Sequence, residues 1–271
     1  MKYHPSSLRS VSPLKLRGDK GVILSVVLAT RNEEANLTRC LEAVKSIANE
    51  IIIADEQSTD KTVGIAKKFG AKVISVPHQE NFHITKNIAI DAARGDWILQ
   101  LDADEVVSPE LACEIVSTIN HESSTMNGYW VNRRNWFLTR FLSKGGQYPD
   151  PTLRLYRRGK GRLPAKDVHE QAQIQGPTGR LRNDLYHYRD TSFAKYLDGF
   201  NRYSSFLAAN INPEVNLRQT LNYLGCKPVV TFCKIYFRHR GYVDGYPGFV
   251  FALFSGLTHA IAYIKYWQRL L

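Results

Sequence analysis

At 271 residues, 44% of them hydrophobic and 23% charged, the chain has an ordinary globular composition and can bury a core without disulfide or metal staples. Its formal net charge of +11 favours polyanionic partners: nucleic acid, phosphorylated substrates or an anionic membrane surface. Cys40, Cys113, Cys226 and Cys233 form no CxxC pair and no Cys/His ligand spacing, which argues against structural zinc and for reduced core cysteines of a cytosolic protein.

Residues 1–20 are polar and basic, and no apolar h-region follows, so a loosely held arm is expected and a secretory signal is not. VILSVVLA (22–29) is a continuous β-branched run, the pattern of a strand buried on both faces. Helical spacing follows over 32–47 through Ala35, Leu37, Leu41, Val44 and Ile47. EIIIAD (50–55) is a second buried strand, and 59–69 a second helix with Ser58, Thr59 or Asp60 as N-cap. A third strand is expected over 71–76, a helix over 84–93, a strand WILQL over 97–101, and a helix over 109–119 with Ser108 capping and Pro109 first. Strands alternating with short helices imply βαβ units, hence an α/β fold with a doubly wound, mostly parallel sheet. After Asn120 the regularity ends. Residues 128–190 are rich in Gly, Pro, Arg and Tyr with short strand-like pieces, and from Thr191 the chain turns helical.

In open α/β sheets ligands bind beyond the carboxyl ends of the strands. Here those ends read Thr30-Arg31-Asn32-Glu33, Asp55-Glu56-Gln57-Ser58, Pro77-His78 and Asp102-Ala103-Asp104-Glu105. Turn capping alone favours Asp, Asn, Ser and Thr at such places, so the coincidence of acids on one edge is the informative feature. There is no G-x-G-x-x-G in the first turn and no G-x-x-x-x-G-K-[ST] anywhere, which removes the dinucleotide and P-loop readings. An acidic edge repels a bare phosphate but holds one through Mg²⁺ or Mn²⁺, which take one or two carboxylates, water and substrate phosphates. Asp102 and Asp104 sit two residues apart, on one side of an extended segment. One can then ligate a metal while the other contacts sugar or ribose hydroxyls.

SVVLATRNEEANL, IIIADEQSTDKT, TKNIAIDAARGDWILQLDADE and DVHE resemble, in order, the motifs of family 2 glycosyltransferases, inverting enzymes of the GT-A fold. Within that family the chain is most similar to small bacterial enzymes that build lipopolysaccharide core or related surface glycans. The resemblance implies a nucleotide-sugar region over 21–125 and an acceptor and catalytic region over 126–190, followed by a helical extension over 191–271 for which membrane association is one of two readings. It places Thr30, Arg31, Asn32 and Glu33 at the first nucleotide-contacting turn, where Arg31 replaces the more usual aromatic. Asp55 matches the uracil contact, Lys86 with Asn87 a basic-Asn pair near the nucleotide or its phosphates, Asp102 the ribose or sugar contact, and Asp104 the metal ligand. Glu170 stands where these enzymes often carry the acceptor-activating base, with Asp150 and Asp167 as rivals. The implied cofactors are a divalent cation and a UDP-sugar. The implied partners are a glycan or glycolipid acceptor and an anionic membrane, not nucleic acid, and the implied location is the cytoplasmic face of the inner membrane.

The basic run Arg154, Arg157, Arg158, Lys160 and Arg162 reads equally as a phosphate-binding patch for the acceptor or as a solvated loop. Residues 247–264 carry no formal charge, slightly short of a comfortable span, and Ser255, Thr258 and His259 give this helix one wetter face. An interfacial helix and an ordinary packing helix both fit. A sugar-phosphate nucleotidyltransferase would need a Gly-rich loop where Thr30–Glu33 stand. A non-catalytic basic membrane-binding protein accounts for the charge but not for the acidic strand ends.

Overall fold

A computed structural model of the chain describes residues 22–121, 125–164, 171–212 and 216–270. The expected βα succession is present as β1 (Leu24–Thr30), α1 (Leu37–Val44), β2 (Glu50–Asp55), α2 (Thr62–Lys68), β3 (Lys72–Ser75), α3 (Phe82–Asp91) and β4 (Trp97–Leu101). After β5 (Glu105–Val107) comes α4 (Pro109–Ile119), capped as expected by Ser108, whose Oγ accepts the Leu111 N–H at 3.1 Å. β1 pairs in parallel with β2 on one side and β4 on the other, and β2 pairs in parallel with β3. β4 then pairs antiparallel with β8 (Asp150–Arg157). With β6 (Gly128–Phe137) and β11 (Thr178–Asp190), the sheet order is β3-β2-β1-β4-β8-β6-β11-β5. A short β7 (Arg140–Phe141) pairs with β6, and β9 (Gly161–Arg162) with β10 (Gln173–Ile174) makes a separate ladder.

Both faces of β1, β2 and β4 are covered, which is why these strands read as almost wholly apolar runs. Leu24, Val26 and Leu28 pack with Leu37, Leu41 and Val44 of α1 and with Leu111 and Ile115 of α4. On the opposite face Val27, Ile52 and Ile98 pack with Ala89 and Ile90 of α3 and with Leu153 and Tyr156 of β8. Gly95 is required at the entry to β4, since a Cβ there would meet the Ile23 carbonyl at 2.7 Å.

The first two helices start later than the apolar spacing suggests. Asn32 sits in the left-handed region (φ 55°), and Glu33–Asn36 form a turn before α1. Ser58 spends its side chain on the turn itself, while Asp60 Oδ1 accepts the Thr62 N–H at 2.9 Å at the start of α2. Of the four free cysteines only Cys40 is buried; Cys113, Cys226 and Cys233 are exposed, which corrects the reading of all four as core residues.

The chain divides into two compact units, one reaching to Val131 and including Pro151–Leu185, the other comprising Asn132–Asp150 and Tyr186–Leu271. The second unit holds α5 (Phe193–Ala209), α6 (Leu217–Leu221), α7 (Lys227–Cys233) and α8 (Gly245–Gln268). Single π turns at Asn222–Cys226 and Lys234–Arg238 flank α7, and a 3-10 turn, Gly241–Asp244, leads into α8. Ala262, Tyr263 and Tyr266 of α8 pack with Ala208 of α5 and with Ile211. Gly256 lets α8 approach the Pro228 carbonyl, which a Cβ would meet at 2.5 Å. Asp244 is buried and accepts the Ser143 and Lys144 backbone N–H groups at 2.9 Å and the Ser143 hydroxyl at 2.7 Å. The wetter face expected on α8 does not form as such. Ser255 and Thr258 donate to the Phe251 and Phe254 carbonyls of their own helix, and Thr258 is buried.

Candidate active site

The chain runs outward from β1 through β2 to β3 and then returns to β4 on the other side of β1. That reversal between β1 and β4 is the switch point at which open α/β sheets form a ligand crevice beyond their carboxyl ends. Thr30 ends β1 and is fully buried; its hydroxyl donates to Asp55 Oδ1 at 2.8 Å across the β1–β2 pair. The buried Asp55 also accepts the Ser58 hydroxyl at 2.6 Å and the Ser58 N–H at 2.8 Å. Three donors leave this carboxylate room for about one more bond.

The two strand-end turns are laced together. Asn32 N–H donates to Ser58 Oγ at 2.9 Å, and Asn32 Oδ1 accepts the Thr59 N–H at 2.8 Å. Glu33 N–H donates to Thr62 Oγ1 at 2.7 Å. The left-handed backbone at Asn32 is tolerated because a short amide side chain can bond locally. Beside this lies a second buried acid. Glu56 accepts Thr85 Oγ1 at 2.5 Å and pairs with His78 Nδ1 at 2.6 Å, and Arg31 Nη1 lies 3.0 Å from both ring nitrogens of His78.

At the end of β4 the acids separate into distinct environments. Asp102 lies between two cations, with Lys86 Nζ 2.5 Å from Oδ1 and Arg154 Nη2 2.6 Å from Oδ2. Arg154 Nη2 also reaches Glu105 Oε1 at 2.7 Å, and Glu105 Oε2 accepts the Asp102 N–H at 3.0 Å. Lys86, Glu105 and Arg154 are buried, while the Asp102 side chain is 26% exposed. Burial by itself would favour a neutral guanidine, but the Asp102 and Glu105 carboxylates outweigh it and push the Arg154 pKa up, so the guanidinium stays charged. Cys40, whose Sγ–H donates to the Asp102 carbonyl at 3.7 Å, is pushed up by burial and then by Glu105, Asp104 and Asp102, so it remains a thiol.

Asp104, the expected metal ligand, is half-buried at this same strand end. Among the described residues no group of three or more His, Cys, Asp or Glu side chains could hold a metal ion. A hard cation held through one carboxylate, with substrate phosphates and water completing its shell, needs no such group. Thr30, Arg31, Asn32, Glu33 and Asp55 fall together on the β1 and β2 ends, and Lys86, Asp102 and Asp104 at the end of β4. Glu170, Asp167 and His169 lie outside the described residues. Asp150 belongs to the second unit, where it accepts Arg133 Nε and Nη2 at 2.9 and 2.7 Å and Asn135 Nδ2 at 3.0 Å. Burial pushes its pKa up, but Arg133 and Asn135 outweigh that and hold it below the usual carboxylate range.

The basic run in and just after β8 is not one patch. Arg154 points into the site, Arg157 stacks 4.7 Å over Trp97, Arg158 donates to the Gly95 carbonyl, and Arg162 pairs with Asp91 at 2.6 Å. Arg154 is the member that strand-end reading did not place in the site. Its one signal in the sequence is a charge inside an apolar run, Leu153-Arg154-Leu155, where both neighbours are buried.

Residues 25–183 match the model of glycosyl transferase family 2. The chain belongs to that family. An uncharacterized glycosyltransferase of Rickettsia typhi is 30% identical over 84% of this chain and 80% of its own length. A lipopolysaccharide core biosynthesis glycosyltransferase of Rhizobium meliloti is 28% identical over 91% of this chain and 92% of its own. Among solved structures, Staphylococcus aureus TarS 1–349 aligns over 90% of this chain and 89% of its own with 13% identity and a TM-score of 0.46. The protein is a family 2 glycosyltransferase whose α/β fold carries a mostly parallel sheet and a helical C-terminal region.

Proposed function

We propose that this family 2 enzyme is an inverting, metal-dependent transferase that moves a sugar from a UDP donor to a bacterial surface-glycan acceptor such as lipopolysaccharide core. The observation that carries this is the meeting of the Thr30–Asp55 pair and the Lys86–Asp102–Arg154–Glu105 network at the sheet's switch point, beside Asp104. The acceptor class is supported by the Rhizobium meliloti relative, which matches over nearly its whole length.

In this reading the rigid turns at Thr30–Glu33 and Asp55–Ser58 seat the nucleotide, with Asp55 accepting one bond from the base. Asp102, oriented by Lys86 and Arg154, accepts from a sugar or ribose hydroxyl, and Lys86 adds positive charge near the phosphates. Asp104 would hold a divalent cation, which would supply charge neutralisation for the departing diphosphate. Glu170 takes the proton of the acceptor hydroxyl as its oxygen bonds to the anomeric carbon, while the bond to the diphosphate breaks on the opposite face and inverts the centre. Asp150 suits this role less, because its ion pair with Arg133 weakens it as a proton acceptor. The basic, apolar C-terminal helices support a peripheral position on the cytoplasmic face of the inner membrane.

The test is Glu170→Gln assayed for donor binding and for sugar transfer separately. Retained UDP binding with transfer reduced at least about a hundredfold is expected for loss of a general base. Undiminished transfer would move the role to Asp150 or Asp167.

A further inference from the structure

Large apolar side chains reach the surface almost entirely in one unit. Of the 20 such residues that are exposed among those described, 18 lie between Phe193 and Leu270. The densest group is the reversal that joins α7 to α8. Phe237, Tyr242, Val243, Tyr246 and Phe249 all project there, with Tyr246 75% exposed. Arg238, His239 and Arg240 are exposed between them. The sole acid of this segment, Asp244, is buried and occupied by Ser143, Lys144 and Arg140. The outward face of the tip is therefore aromatic and cationic with no exposed carboxylate.

We propose that residues 237–249 are a membrane-docking tip that lays these side chains into the headgroup region of an anionic bilayer. Aromatic rings seat at the boundary between headgroups and acyl chains, and arginines pair with lipid phosphates. The tip is preformed. Arg240 and Gly245 take left-handed φ values of 60° and 64° that reverse the chain, and Phe232, Tyr236 and Phe249 brace it with ring centroids 5.3–5.8 Å apart. The His239 carbonyl accepts the Gly145 N–H at 2.9 Å.

α8 is long enough to cross a bilayer by length and composition, but its packing argues for lying against protein. Pro247, Gly248, Val250, Ala252, Gly256, Ala262, Tyr263 and Tyr266 are buried along it, and Lys265 Nζ bonds Asn201 and Ser204 of α5. A span through α8 would draw Lys195, Asp198 and Arg202 of α5 and Lys234, next to α7, into hydrocarbon, where each is costly. This deepens the peripheral location proposed above and is independent of the sugar-transfer reading.

Sedimentation of the full chain with vesicles tests it. The wild type should sediment with equal parts phosphatidylglycerol and phosphatidylcholine, less so in high salt, and poorly with phosphatidylcholine alone. The variant Phe237→Ser/Tyr246→Ser should bind at least about tenfold more weakly, because two interfacial rings are removed. Arg238→Gln/Arg240→Gln, which leaves the packing intact, should lose the preference for anionic lipid. Nucleotide binding in both variants should match the wild type, so failure here is separable from failure of the catalytic reading. Equal vesicle binding by wild type and both variants would overturn the proposal. So would carbonate-resistant insertion, or variants that convert a dimer to a monomer without any effect on vesicles.

Discussion

Replacing Arg154 with methionine removes the guanidinium that bridges Asp102 and the fully buried Glu105. The two carboxylates are not equally harmed. Asp102 is 26% exposed and keeps Lys86 at 2.5 Å, whereas Glu105 loses its ion pair inside the fold. Breaking a buried pair from one side costs about 3–5 kcal/mol, and most of that should come from Glu105. A protein of this size loses about 2–4 °C in melting temperature per kcal/mol, so a drop of about 6–20 °C is expected. Urea and thermal unfolding followed by circular dichroism would read it. Adding Glu105→Gln to the same chain removes the buried charge that the guanidinium had balanced and should restore most of the loss. A single variant less than about 1 kcal/mol below wild type would show the network to be no stronger than a surface pair. A double variant as unstable as the single would show that charge at Glu105 is not the cause.

Asp244→Ala removes the acceptor of the part-buried Ser143 and Lys144 N–H groups and should destabilise the helical unit by about 1–3 kcal/mol in urea unfolding, the cost of one unmet donor, because water can reach the exposed Lys144. Asp150→Asn should lower stability near neutral pH. The folded-state pKa of Asp150 lies below its ordinary value, so its contribution is present above about pH 4 and lost as pH falls further. Melting temperatures of variant and wild type should therefore converge in acid, and a gap that persists there would contradict the ion-pair account.

β1, β2 and β4 were legible because burial on both faces leaves them almost wholly apolar, as in Leu24–Ala29 and Ile51–Ala54, whereas β3 is partly exposed. Helix starts were not, because Asn32, Ser58 and Asp60 have the chemistry of caps and of turns alike, and tertiary contacts between the β1 and β2 ends decide. β11 is hidden by Gly179, Asn183 and Asp184, residues that disfavour strands. The acidic strand ends could be found from their positions relative to the apolar runs. Arg154 could not be assigned, since its partners Asp102 and Glu105 lie 52 and 49 residues away. The docking tip was hidden for a different reason: apolar spacing shows which residues share a helix face but not whether another helix covers it.

In the proposed site, Asp104 and the β1, β2 and β4 ends bind a nucleoside diphosphate together with a divalent cation. Calorimetric titration with UDP, with and without Mn²⁺, in wild type and Asp104→Ala tests this most directly. The account predicts tight binding only when metal is present, and loss of that metal-dependent increment in Asp104→Ala with the fold intact by circular dichroism. Metal-dependent UDP binding that survives unchanged in Asp104→Ala would contradict it.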